Sequence, residues 1–189
     1  MLDVLQYEFM QNALVTSLIV SLICGIIGTL IVINRMVFIA GGIAHGSYGG
    51  IGLALYFGIA PMLGASVFAL FLGLIIAMIT HKNSTRLDSL IGVLWAFGMA
   101  LGIIMSDLTP GYNVDLMSYL FGAILSVSLE DMIGMSGVLL LTIVFTVLFY
   151  KQLLAMSFDA QFAKLRGVNT TLLYFALVGL IALGVVIII

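Results

Sequence analysis

Six apolar runs, each about as long as a bilayer core is thick, govern what this chain can become. Hydrocarbon holds no water to hydrogen-bond a peptide group, so a crossing segment must satisfy its own backbone, as helices and closed barrels do. The runs fall at about 13–33, 38–58, 62–80, 89–107, 129–150 and 171–189, and a crossing helix needs roughly 20 residues. Of the 189 residues 63% are hydrophobic and 7% charged, where a soluble domain carries about 25% charged residues. The expected fold class is all-α: one polytopic transmembrane helix bundle over residues 1–189.

The segments between the runs carry stop and start signals. Asn34-Arg35 ends the first run. Pro61 predicts the first turn of the third helix. HKNSTRLD follows it, with Asp88 expected to cap the fourth helix. Thr109-Pro110-Gly111-Tyr-Asn-Val-Asp115 reads as a turn. Leu116–Val127 is apolar but only about 12 residues long, short of the roughly 20 a span requires. Ser128, with Asp131 three residues on, reads as a capping box that opens the fifth span. The stretch near 115–127 is therefore expected to be a half-depth helix on the outer side.

The basic residues give the orientation. Arg35 follows span one, and Lys82 and Arg86 follow span three, so both loops are expected inside and the N-terminus outside. Lys151, Lys164 and Arg166 also fall inside if the 116–127 stretch dips in and returns, which agrees with the length argument. The sixth run stops without a cap or a polar flank, so the chain is expected to be part of something longer.

The second run, Phe38–Gly58, carries His45 near its middle and seven glycines around or just beyond it. At helical spacing Gly42, Gly46 and Gly50 form one small-residue row, with Gly41, His45 and Gly49 beside it. That face admits another backbone closely and aims the imidazole at a packed seam or narrow cavity. An ionisable side chain at membrane depth is costly unless paired or wetted, which makes it a candidate for function. A neutral histidine donating one hydrogen bond to a neighbouring helix fits the same spacing, and both readings stand.

Residues 157–167, SFDAQFAKLRG, have the signals of one short cytoplasmic helix: Ser157 as cap, Asp159 in the first turn, Lys164 and Arg166 in the last, Gly167 as stop. Phe158, Phe162 and Leu165 recur at i, i+4 and i+7, which gives an apolar face. Such a helix either lies on lipid headgroups or docks into a groove of a cytoplasmic partner.

Several chemistries are excluded by motif. There is no G-x-x-x-x-G-K-[ST] phosphate cradle, no H-E-x-x-H and no G-x-S-x-G. His45 and Ser47 are two residues apart on a helix and do not face each other. Every Asp and Glu lies at or near a span end, unlike the intramembrane carboxylates of proton-coupled carriers. No cluster of Lys and Arg suits nucleic acid. The chain is not expected to be an enzyme.

Taken together, certain stretches resemble the membrane permease subunits of ABC importers for zinc and manganese. They are Ala44-His45 with the glycine-rich helix after it, Asp88-Ser-Leu-Ile-Gly92, Asp115 to Leu125 with Val127-Ser128, and Phe158-Asp-Ala-Gln-Phe-Ala163 with Gly167-Val168. The resemblance runs along the whole chain. It implies a homodimeric permease of the type II importer fold in the plasma (inner) membrane of a prokaryote, translocating a divalent ion through the dimer interface, with zinc expected first and manganese or iron as alternatives. It further implies an extracytoplasmic metal-binding protein as donor and two cytoplasmic ATP-binding subunits. These bind and hydrolyse the ATP and dock on the 157–167 coupling helix through Ser157, Phe158, Asp159, Phe162, Ala163, Leu165 and Gly167. On this view His45 contacts the ion, while Gly42, Gly46, Gly49 and Gly50 pack helices.

The chain departs from the family twice. Members commonly carry an aspartate four residues before the histidine, and here that position is Gly41. Asp115 and Asp107 at the outer mouth are the substitute carboxylates. The family also runs longer, with further spans, so these residues alone are not expected to transport. The competing class is a non-transporting membrane scaffold whose 157–167 helix binds lipid or another partner.

Overall fold

The computed structural model describes residues 7–82, 87–110 and 127–188. Among these the chain is helical, and six segments are long and apolar enough to cross a membrane. Helix α1 covers Glu8–Ile33, α2 Val37–Gly46, α3 Tyr48–Phe57, α4 Pro61–Lys82, α5 Leu87–Asp107, α6 Leu129–Leu148, α7 Tyr150–Phe158, α8 Ala160–Leu165 and α9 Thr170–Ile188. The chain folds as an all-α polytopic bundle, as expected.

Local chemistry sets several boundaries. Pro61 opens α4, where its missing N–H costs no helical bond. The Ser128 hydroxyl accepts from the Asp131 N–H at 3.2 Å, while an Asp131 carboxylate oxygen faces the Ser128 N–H at 3.4 Å, so the capping box opens α6. Helix α1 ends in a Schellman turn, with Met36 N–H donating to Ile31 O at 2.9 Å and Arg35 N–H to Val32 O at 3.1 Å. The left-handed residue of that turn is Arg35, at φ 57°, where the α3 and α8 ends use Gly58 and Gly167.

Three boundary expectations are corrected. Asp88 does not cap α5; it lies inside the first turn, after Leu87. The expected single helix over 38–58 is two helices meeting at Ser47, which still make one crossing. There Ser47 Oγ donates to Ala44 O at 2.6 Å, and the Ser47 carbonyl accepts from both Gly50 and Ile51, at 2.8 and 3.3 Å. A serine hydroxyl competing for a backbone carbonyl beside a glycine is a known cause of a helix break. Third, Ser157 is not a cap, as described below.

The centre of the bundle is the α2–α3 crossing. It is 67% buried and α9 is 56% buried, against 11–33% for the other spans. Yet α2–α3 has the lowest mean hydropathy of the six, 1.2 against 2.0–2.7. Glycine accounts for this, because a helix without side chains on its contact faces is buried by backbone approach. A Cβ on Gly52 would overlap the Gly102 backbone, and one on Gly98 the Gly46 backbone, so α5 packs directly on α2–α3. Gly50 and Gly64 exclude side chains from each other in the same way, which brings in α4. The opposite side is filled by branched apolar residues, among them Ile43, Ile76, Leu177, Val178 and Ile181, all fully buried. Thr80 and Tyr174 share a hydrogen bond of 2.7 Å between α4 and α9.

Side-to-side contacts fix which helix ends share a face of the membrane. Ser157, just beyond α6, bonds to Asn34 at the end of α1. At the other end, Gly134 near the start of α6 lies against Met62 near the start of α4. Alternating crossings from α1 to α5 put the α5 end on that same second side. The chain thus leaves α5 and enters α6 on one side, as the charge argument requires. The 115–127 half-helix itself lies outside the described residues.

Candidate functional site

Helix α2 carries His45 and α5 carries Trp95, and the glycine contacts bring these helices close enough for the two rings to meet. Their centroids are 4.2 Å apart and their planes differ by 6°, a flat stack. Both side chains are half-buried. The Nδ1 atom of His45 is buried and has no hydrogen-bond partner. Trp95 Nε1–H donates to Met99 Sδ at 3.0 Å. One turn before His45, nothing lies within 4 Å of the Cβ position of Gly41, and the same holds for Gly92 one turn before Trp95. The imidazole therefore stands at a seam of two helices beside an open, small-residue edge.

The packing glycines divide between two neighbours. Gly42 meets the Ile91 side chain of α5. Gly46 meets Leu72 of α4 on one side and the α5 backbone on the other. Gly49 faces the Gly98 carbonyl and the Phe68 ring, and Gly50 faces the Gly64 backbone. The row of 42, 46 and 50 thus serves as a contact surface for both α4 and α5.

Of the carboxylates expected at the outer mouth, Asp107 does not stand beside His45. Asp107 is exposed at the end of α5, twelve residues past Trp95, or about 18 Å along the helix. Asp115 lies outside the described residues. Among the described residues no group of three or more His, Cys, Asp or Glu side chains could hold a metal ion. The residue that the sequence reading passed over is Trp95. One signal could have found it: it is the sole tryptophan, and it sits mid-span, whereas membrane tryptophans concentrate at the interfaces.

At the end of the bundle where α1 finishes, the expected single helix over 157–167 is divided. Ser157 lies within α7, its single hydroxyl proton shared between Leu153 O at 2.8 Å and Asn34 Oδ1 at 3.1 Å. Asp159, in extended backbone at φ −152°, is the cap of α8; its Oδ1 accepts from Gln161 N–H at 2.9 Å and Phe162 N–H at 3.0 Å. The aspartate wins because a carboxylate reaches two free N–H groups of the first turn and meets the positive end of the helix dipole. Gly167, at φ 83°, ends the unit. Phe158 and Leu165 are 83% and 87% exposed and Phe162 half exposed, whereas Ala163 is fully buried and seats α8 on the bundle. Arg166 lies over the Phe162 ring at 5.2 Å. The apolar face survives the division and points away from the protein.

A bundle of glycine-packed spans with an exposed amphipathic unit at one end defines a multi-pass helical membrane domain. Comparison with known proteins gives the family. The model of the ABC 3 transport family matches residues 6–189. An uncharacterized membrane protein of Synechocystis sp. is 53% identical over 98% of this chain and 66% of its own length. The manganese transport system membrane protein MntC of Halalkalibacterium halodurans is 31% identical over 96% of this chain and 62% of its own. Among solved structures, PsaBC from Streptococcus pneumoniae in complex with Fab matches with a TM-score of 0.84 at 33% identity, covering 98% of this chain and 67% of that one. The chain belongs to the ABC 3 transport family and is a multi-pass integral protein of the prokaryotic plasma membrane. It spans about two thirds of the length of the relatives it matches.

Proposed function

We propose that the chain is the larger part of a permease subunit that imports a divalent transition-metal ion, with ATP bound and hydrolysed by a separate cytoplasmic subunit. The observation that carries this reading is the similarity, over nearly the whole chain, to a membrane protein named for a manganese transport system. On that ground manganese takes precedence over zinc, the first expectation from sequence; iron remains an alternative.

The ion passes His45 on the half-buried edge shared by α2 and α5. The open space at Gly41 and Gly92 on this edge suits a second permease copy, so that the path runs along a dimer interface. An extracytoplasmic binding protein delivers the ion at the end where Asp107 stands exposed. Phe158, Phe162 and Leu165 present an apolar surface to the ATP-binding subunit, with Asp159 and Gly167 setting the length of the docking helix. Imidazole is a fitting transient ligand for first-row metals. A single protein ligand holds an ion loosely, as release on the far side requires.

The scaffold alternative also accounts for an exposed α8, but it leaves a stacked histidine with a bare Nδ1 at mid-span without a task. Metal uptake decides between them. The complete permease, assembled with its ATPase and binding protein in proteoliposomes, is compared with its His45→Ala variant for manganese and zinc. Loss of uptake with assembly and basal ATPase intact supports the ion path. Unchanged uptake makes His45 a packing residue, and absence of ATP-dependent uptake in the parent complex returns the chain to the scaffold class.

A further inference from the structure

We propose that Trp95 is the positioning residue of His45: its indole holds the imidazole in the plane that offers Nε2, and not Nδ1, to a passing divalent cation. This inference rests on reading His45 as an ion contact, and it names the group that orients that contact.

A histidine that binds a metal is normally aimed from behind. Its second ring nitrogen donates to a carboxylate, a carbonyl or a water, and that bond fixes both tautomer and ring plane. His45 is built differently. Its Nδ1 is enclosed and unpartnered. The nearest hydroxyl in sequence, on Ser47, is committed to the Ala44 carbonyl. Orientation therefore falls to the other contact the ring makes, the stack on Trp95 at 4.2 Å and 6°.

Two features keep the indole from swinging. Its Nε1–H is held by Met99 Sδ one turn further along α5. The two backbones are also locked together, because the Ile91 side chain occupies the space of a Cβ on Gly42, and the Gly46 backbone that of a Cβ on Gly98. With one ring face against the indole and Nδ1 enclosed, Nε2 is the nitrogen left for a ligand. A stacked ring orients without adding a charge or a second donor atom. That gives a defined approach direction with a weak hold, which suits an ion in transit.

The chain's only tryptophan is thus in contact with its ion-binding side chain, which supplies a readout independent of transport. Manganese(II), being paramagnetic, quenches an indole within contact range, whereas zinc(II) does not quench by that route. The assembled permease is titrated with manganese without ATP. The emission of Trp95 is obtained by subtracting that of the Trp95→Phe variant. Saturable quenching that disappears in His45→Ala is expected, and quenching that is unchanged in His45→Ala overturns the proposal.

Uptake gives the second test. Trp95→Leu removes the stack and should raise the half-saturating manganese concentration about tenfold, as loss of an outer-shell partner does, with the maximal rate per assembled complex little changed. Trp95→Phe keeps an aromatic face and should recover most of that loss. A fall in maximal rate without a shift in half-saturation, equal in both variants, would reduce Trp95 to packing while leaving His45 on the path. If His45→Ala itself leaves quenching and uptake untouched, the ion-path reading fails first.

Discussion

Ser157 and Asn34 lie 123 residues apart in sequence and are joined by a hydrogen bond of 3.1 Å, with the serine hydroxyl as donor. Asn34 is anchored in turn, since its amide nitrogen donates to Leu30 O at 2.8 Å. Only Arg35 and Met36 separate it from α2, and Met36 is buried in the core. The exposed α7–α8 unit is therefore tied, through one side-chain pair and a two-residue link, to the helix that carries His45.

A double-mutant cycle on this pair should report coupling. Ser157→Ala and Asn34→Ala are each expected to destabilise the permease, Asn34→Ala more, because it also removes the side-chain bond to Leu30 O, leaving that carbonyl only the residue-34 N–H. The pairwise term should be about 1 kcal/mol, the usual net worth of one neutral hydrogen bond. Reversible unfolding in bicelles measures it. Strict additivity of the two single changes would mean that the bond bears no load.

Glycines in this chain fall into two classes that thermal unfolding should separate. Gly98→Ala drives a methyl into the Gly46 backbone and should cost roughly 1–3 kcal/mol, the range for overpacking. Gly92→Ala, on the same helix, meets nothing within 4 Å and should be neutral or stabilising by up to about 1 kcal/mol, as helix propensity favours alanine. Equal melting temperatures for the two variants would contradict the backbone contact between α2 and α5.

Arg35 occupies a left-handed conformation, which costs an L-residue about 1–2 kcal/mol. Arg35→Gly removes that cost and adds backbone entropy to the unfolded chain, worth about 0.4–1 kcal/mol in the opposite direction. A net gain of some tenths of a kcal/mol should appear as a slightly higher melting temperature. A clear drop would indicate that the guanidinium contributes more than the turn.

Phe162→Asp places a charge at the centre of the exposed apolar face of α7–α8. Copurification of an ATP-binding subunit should be lost while the permease still folds, because Phe162 is half exposed and is not a member of the buried core cluster. Retained association would move the docking surface elsewhere.

Gly41→Asp adds a carboxylate one turn before His45, where no neighbouring atom blocks it. A second ligand, this one a carboxylate oxygen, suits manganese(II). The variant should bind manganese more tightly in equilibrium dialysis and release it more slowly. No change in binding would mean that this edge is not where the ion rests.

The spans and the Ser128 capping box were legible because each depends on a short stretch of chain and on one rule about water or lipid. Pro61 and Gly167 were legible for the same reason. The break at Ser47 was not, since serine and glycine are frequent inside membrane helices and only sometimes interrupt them. Ser157 was misassigned because two cap formers, Ser157 and Asp159, stand two residues apart, and its hydroxyl had a partner on another helix. Trp95 was missed because the stack joins residues 50 positions apart, a relation that no local period records. Asp107 was expected at the outer mouth from its charge, and the length of α5 puts it at a helix end, about 18 Å along the helix from Trp95.

The burial of α2–α3 has a consequence for how the protein is made. A segment enters the bilayer from the translocon when its side chains prefer lipid, and this one has the weakest preference of the six. Its stability in the membrane comes instead from backbone contact with α4 and α5, which are synthesised after it. Insertion of the histidine-bearing crossing is therefore expected to gain from helices not yet translated when it emerges. A substitution such as Gly98→Ala, on one of those later helices, should then act during biogenesis as well as on the finished protein, leaving the crossing stranded at the translocon.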